Sequence, residues 1–94
     1  MSKEVAQITG QTIGTVVGDE MLIRFWLEVG SLLQEAYRTE RVVVYRVREL
    51  KMAAAGLLTA AGLLEHRGWG ISEEGIYLIT DKGRQVAKRV FHLE

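Results

Sequence analysis

The sequence predicts an α+β fold, with three helices in the N-terminal part, then a β-hairpin, then a C-terminal helix. Three observations predict it. Residues 19–37 and 42–61 carry apolar side chains at the spacing of amphipathic helices. Residues 63–79 have the pattern of two short strands around a turn. A threonine that can cap a helix follows at position 80.

Length and composition fit one domain, which we assign to residues 1–92, whereas 93–94 could be the remnant of a tag. The chain has 94 residues, 48% hydrophobic and 26% charged, with a formal net charge of zero. A neutral chain has no global field that attracts nucleic acid or an anionic membrane. The lack of cysteine excludes disulfides and thiolate metal sites. Together with an N-terminus that lacks a signal peptide, it is typical of a cytoplasmic protein.

The first segment contains three regularly spaced glycines, Gly10, Gly14 and Gly18. Each glycine inside a helix costs about 1 kcal/mol relative to alanine. We therefore expect a helix that begins near Ser2 and becomes irregular around the glycines. A short strand at "QTIGTVV" is the alternative.

Residues 19–37 predict an amphipathic helix with Asp19 as its N-cap. At 100° per residue, one apolar stripe contains Leu22, Phe25, Trp26, Val29, Leu32, Leu33 and Ala36.

Residues 42–61 fit one further helix, which Gly62 would end as a C-cap residue. The valine run at 42–44 leaves a brief strand at 41–44 as an alternative. The helical wheel gives a core face of Val43, Val47, Leu50, Ala54, Leu57, Leu58 and Ala61. It gives an outward face of Arg41, Tyr45, Arg48, Met52, Ala55 and Thr59. The uncharged run within this segment is shorter than the about 20 residues that cross a bilayer, which excludes a membrane span.

The predicted hairpin joins Leu63–Trp69 to Ile76–Ile79 around "SEEG", with Gly75 suited to a positive φ. Thr80 then caps the last helix, "DKGRQVAKRVF". We expect five large side chains of the whole chain to be mostly buried, namely Trp26, Leu33, Leu50, Leu57 and Leu64.

Two motifs flank the hairpin: Gly62-Leu63-Leu64 before it and "YLITDKG", Tyr77 to Gly83, at its end. Together they resemble winged-helix transcription regulators of the MarR and PadR type. In those proteins, "GL" followed by an aliphatic residue closes the recognition helix, and the second motif closes the wing and opens the next helix. The resemblance covers residues 60–89. It implies a winged helix, with residues 42–61 as the recognition helix and the hairpin as the wing.

The resemblance also implies binding to double-stranded DNA. The candidate contacts are Arg41, Tyr45, Arg48 and Met52 on the N-terminal half of the recognition-like helix, with His66 and Arg67 at the wing base. The alternative interpretation of these residues is a solvated surface with scattered ion pairs.

Two functions follow. The first is a small DNA-binding protein, a dimeric transcription regulator. The second is a module that binds a second copy or another protein, favoured by the neutral charge, by Glu73 and Glu74 at the wing tip, and by small residues around Ala55, Gly56 and Thr59. No catalytic motif, metal-ligand spacing or cofactor loop is recognised, so we expect neither an enzyme nor a bound cofactor.

Overall fold

Residues 4–93 fold into three helices and a three-stranded antiparallel sheet, an α+β arrangement. The computed structural model describes residues 4–93, and it describes side chains from Gly18 to Leu93. The elements are α1 (Glu4–Thr39), β1 (Arg41–Val44), α2 (Glu49–Ala60), β2 (Leu64–Trp69), β3 (Gly75–Ile79) and α3 (Asp81–Phe91). The strand order is β1-β3-β2.

The first two predicted helices are one helix, α1, so two helices and not three precede the hairpin. Gly10, Gly14 and Gly18 lie inside α1, and both the predicted irregularity and the alternative strand at "QTIGTVV" are wrong. Glycine lowers helix propensity, but propensity is a weak prior, and once a helix is nucleated each added residue gains a backbone hydrogen bond. The predicted cap at Asp19 is also wrong, because the helix continues through it.

The N-terminal part of the predicted third helix is a strand, as the alternative for residues 41–44 proposed. In β1, Val42 pairs with Tyr77 and Val44 pairs with Gly75. Residues 45–48 then form a turn in which the Arg48 N–H donates to the Tyr45 carbonyl at 2.9 Å. The helix predicted for 42–61 therefore exists only from 49 to 60. The β-branched valines suit the pleated surface that β3 provides, a long-range partner to which a helical wheel is blind.

The late start of α2 changes its buried face. Ala54, Ala55 and Leu58 are buried, so Ala55 was wrongly assigned to the outward face. Leu57 is 37% exposed and Val47, in the turn, is 85% exposed, although both were placed in the core. The helical wheel began at residue 42 and so included residues of the strand and the turn. Those residues are not helical, and they gave the wheel the wrong orientation for α2.

The core lies between the C-terminal half of α1, the other two helices and one face of the sheet. Leu33 and Leu64 are buried as predicted, and Leu50 is half-buried. Trp26 is 54% exposed, against prediction, since it lies on a second apolar face of α1. The buried apolar residues are Val29, Leu32, Leu33, Ala36, Val42, Val44, Ala54, Ala55, Leu58, Leu63, Leu64, Tyr77, Ile79 and Ala87.

The predicted hairpin is confirmed, with a bulge between His66 and Gly68. The positive φ at its tip belongs to Glu73, at 63°, and not to Gly75 as predicted. Gly75 is required for a different reason: a Cβ there would crowd the Tyr77 ring. Glycine is needed at this position because there is no room for a side chain, and not because of its backbone angle.

Side chains of "TDKG", residues 80–83, hydrogen-bond to the backbone just after α2 and so hold the start of α3 next to it. The Thr80 hydroxyl donates to the Gly62 carbonyl at 2.6 Å and accepts from the Gly83 N–H at 2.9 Å, which confirms the predicted cap. Lys82 Nζ donates to the Ala61 carbonyl at 3.0 Å. The C-cap of α2 is Ala61 and not Gly62 as predicted; Gly62, with a φ of 82°, follows the C-cap and turns the chain toward β2. We call this group of contacts the α2–α3 junction.

Two adjacent leucines of α2 test the corrected helix phase. Leu58→Ala removes a side chain that is 2% exposed and should lower the free energy of unfolding by about 2–5 kcal/mol. Leu57→Ala, the matched control, should lower it clearly less, because 37% of that residue is already exposed to water. Urea denaturation of both variants measures the difference, and equal losses would contradict the phase described here.

Two helical glycines test the α2–α3 junction. Gly83→Ala places a Cβ against the Leu63 carbonyl oxygen, a backbone atom that cannot move aside, and should cost about 1–3 kcal/mol. Gly56→Ala meets open space and should stabilise the fold by up to about 1 kcal/mol through helix propensity. Thermal unfolding of the pair gives opposite signs if the junction is close-packed, and a Gly83→Ala variant as stable as the wild type would refute it.

Candidate nucleic-acid interface

The six predicted contact residues do not form one surface, because Arg41 and Arg67 lie on the sheet face that is turned away from the other four. Arg41 pairs with Leu78, and Leu78 pairs with Glu65, so these three share a face. Arg67 Nη1 lies 4.0 Å from Glu65 Oε1. This outer sheet face (Arg41, Glu65, Arg67 and Leu78) is opposite to the face that carries the buried Val42, Val44 and Tyr77. Arg41 and Arg67 are therefore separated from the other four residues.

The remaining four residues gather around the turn at 45–48, which we call the arginine turn. Tyr45 and Arg48 are exposed on it, and Arg48 directly precedes the first residue of α2. Met52 is half-buried on the first turn of that helix. His66 pairs with Tyr77 across the sheet and so points to the same side as the core, although it is exposed at the edge strand.

An aromatic cluster (Arg46, Met52, His66, Trp69 and Tyr77) joins the arginine turn to the hairpin. The Arg46 guanidinium lies 5.1 Å from the centroid of the Trp69 ring. The His66 ring centroid is 4.8 Å from that of Trp69 and 4.8 Å from that of Tyr77. The Tyr77 hydroxyl lies 3.6 Å from Met52 Sδ. The cluster is a continuous set of contacts from the turn, across the hairpin, to α2.

Tyr77 is the base of this cluster. Desolvation by burial raises the pKa of its phenol above the ordinary value of 10.0. The hydroxyl is therefore protonated at neutral pH and can donate a weak hydrogen bond to the thioether of Met52. Its ring holds the His66 ring beside Trp69, so the exposed part of the cluster is built on a buried side chain.

The two glutamates of the hairpin tip are bound within the structure. Glu73 Oε1 lies 3.5 Å from Arg46 Nε, and Glu74 Oε1 accepts a hydrogen bond from the Ser72 N–H at 2.9 Å. The Arg46–Glu73 pair is largely exposed on both sides, so solvent screens it and it contributes little stability, on the order of 0–1 kcal/mol. A stronger anion can therefore displace Glu73 from Arg46 at small cost.

The exposed face of α2 carries no basic side chain. Its exposed residues are Glu49, Ala53, Gly56, Leu57 and Ala60. Lys51, on the same helix, is half-buried, with its Nζ 4.0 Å from Glu35 Oε1. The basic side chains next to the N-terminal end of α2 are those of Arg46 and Arg48 in the arginine turn, and both are exposed.

Arg46 and Trp69 were not among the six predicted contact residues, although the sequence places Arg46 in a cluster of basic residues. The helical wheel placed Arg46 on neither the core face nor the outward face, because it treated the turn at 45–48 as part of a helix. "GWG" was a usable signal, since a tryptophan between two glycines on a hairpin has few neighbours to cover it. Ile71, fully exposed at the hairpin tip, gave no signal beyond being apolar.

Three further findings concern the described residues. No group of His, Cys, Asp or Glu side chains there could hold a metal ion, and no pocket opens among them. Among residues 4–93, no helix combines the length and apolar character that crossing a bilayer requires. In comparisons with known proteins, no family model, curated protein or solved structure matches this chain.

Proposed function

We propose that the protein binds duplex DNA through the arginine turn and the neighbouring hairpin, and that it acts as a transcription regulator. The observation that carries the proposal is the position of Arg46 and Arg48 at the N-terminal end of α2, beside an exposed Trp69. Guanidinium groups suit phosphate and guanine contacts. The positive end of the α2 dipole adds to their field.

The sheet topology is compatible with a winged-helix interpretation, although the order of helices and strands differs from the predicted one. The hairpin follows α2 directly, and β1 pairs with the second strand of that hairpin. In this proposal α2 is the recognition helix, β2 and β3 form the wing, and residues 45–48 replace the helix that precedes a recognition helix in helix-turn-helix proteins. The N-terminal end of α2 would enter the major groove, where the arginine turn meets the bases.

The electrostatics favour binding that depends on local charge. The net charge is zero, so no long-range attraction contributes. Glu73 pairs with Arg46 in the free protein, and a phosphate would replace this carboxylate on binding. Each phosphate contact releases about one counterion from the duplex, so the affinity should fall steeply with salt.

A second candidate function, a protein-interaction module, is favoured by the exposed face of α2. Ala53, Gly56, Leu57 and Ala60 present small or apolar side chains there, and a Cβ at Gly56 would meet open space. Such a face lets another backbone approach closely, whereas it offers no donor for base recognition. Ala55 was predicted to belong to this exposed face, and that prediction is wrong because Ala55 is buried.

A mutational series in a DNA titration tests the first function. The probe is a short mixed-sequence duplex with a fluorescent label, followed by anisotropy at low salt. Replacing Arg46 and Arg48 by alanine should weaken binding at least about tenfold. It should also lower the log–log salt slope by about two units, one for each lost phosphate contact. The matched control replaces Arg41 and Arg67, two arginines of the outer sheet face, and should leave both quantities nearly unchanged.

In the same titration, Glu73→Gln should have the opposite effect on the affinity for DNA. It removes the carboxylate that competes for Arg46 and should tighten binding by a few-fold. No binding by the wild type at low salt would contradict the DNA proposal and leave the interaction module. Loss of binding in the Arg41 and Arg67 control alone would place the contact on the outer sheet face instead.

A further inference from the structure

We infer that α1 pairs with α1 of a second copy of this chain in an antiparallel arrangement that crosses close to Gly30. The starting observation is a second apolar face on this helix. Leu22, Ile23, Trp26 and Leu27 are each more than half exposed, up to 67% for Leu27. With Gly30, they form what we call the outer face of α1. This inference concerns assembly and does not rest on DNA binding.

The outer face is distinct from the face that α1 turns to the core. At 100° per residue, Leu22, Ile23, Trp26, Leu27 and Gly30 fall within about 140° of arc. The core side chains of the same helix are centred about 100° away; they are Phe25, Val29, Leu32, Leu33 and Ala36. The two faces adjoin and together span about 220° of arc, which is wider than the stripe that a helix needs to pack against one domain core.

The exposed apolar area of the outer face is large enough for an interface with a second copy of the chain. The four large side chains expose roughly 450 Å² of apolar surface, which is in the range of the largest patches on monomers and is often functional. Pairing two such faces would cover on the order of 1,000 Å² in total, the lower limit for a specific interface. The helix also extends beyond the body of the domain. The radius of gyration is 16.9 Å, against about 12 Å for a compact chain of this length.

Charge complementarity favours an antiparallel arrangement of the two helices. Glu20 and Arg38 are 18 positions apart, which is five full helical turns, so both flank the outer face on the same side. In an antiparallel helix pair, residues on the same flank face one another. Glu20 of one chain then meets Arg38 of the other at both ends of the interface, whereas a parallel pair would put Glu20 and Arg38 at opposite ends, where they could not pair.

Gly30 lies one residue from the midpoint of Glu20 and Arg38. A Cβ at this position would meet nothing within 4 Å in the chain itself. At the crossing point of two helices, a residue without a side chain lets the backbones come close, so that the large side chains on either side can interdigitate.

Sedimentation equilibrium of the full chain tests the pairing. We expect the wild type to have the mass of two chains at micromolar concentration. Leu27→Lys should raise the dissociation constant by about tenfold or more, since it puts a charge into the covered face. Its helix content should be unchanged, because the side chain is exposed in one copy. Ile71→Lys, the same type of change at the hairpin tip, is the control and should leave the dimer intact.

Charge variants test the direction. Glu20→Lys and Arg38→Glu should each weaken the dimer a few-fold at low salt, and the double variant should restore it. Because the chain has no cysteine, single spin labels at Gly18→Cys and Ser31→Cys report distances directly. An antiparallel pair puts the Gly18 labels about 30 Å apart along the helix axis and the Ser31 labels close together.

Three results would overturn the inference. The first is a single-chain mass for the wild type up to high concentration. The second is an unchanged dimer in Leu27→Lys. The third is a short distance between the labels at both positions, which would mean a parallel pair.

Discussion

The hydroxyl of Thr80 holds together three parts of the chain on which the rest of the structure depends. It binds the carbonyl at the end of α2, caps the first turn of α3, and belongs to the residue that ends the hairpin. Gly83 must lack a side chain for α3 to come this close to Leu63. The hairpin is thereby fixed relative to α2 at its base, so the arginine turn and Trp69 are held next to each other at the opposite end. The residues that resemble a functional motif are thus structural, and their role is to position a surface to which they do not belong.

The arginine turn is the feature that separates this domain from one built of consecutive helices. β1 ends at Val44, and only four residues connect it to α2. The turn is too short for another helix, and it brings Arg46 over Trp69 near the hairpin tip. One short segment therefore both contacts the hairpin and supplies positive charge at the start of α2. The two tasks are compatible because the guanidinium of Arg46 can stack on an indole while its nitrogen atoms remain in solvent.

The hairpin and α3 could be predicted from the sequence because their signals are local. A turn sequence, the capping threonine and the alternation of strand residues need no knowledge of distant partners. The strand β1 could only be an alternative, since pairing of Val42 with Tyr77 joins residues far apart in the chain. Trp26 was misplaced for a related reason: a helical wheel identifies apolar stripes but does not say which of two stripes meets the core. At the candidate site, the sequence predicted Tyr45 and Arg48 as contacts, whereas the position of Arg46 depended on a turn that the wheel had drawn as helix.

The separation of these contacts along the chain also bears on the order of folding. The hairpin strands are adjacent in sequence, and the Thr80–Gly62 and Lys82–Ala61 contacts span 18 and 21 positions. Helix α1 is entirely local, but the Ile79 N–H bonds to the carbonyl of Glu40, nearly twice as far away in sequence. Closing longer loops costs more conformational entropy and slows folding. We therefore expect the segment from α2 to α3 to form first, and the docking of α1 and β1 onto it to be the slower, later step.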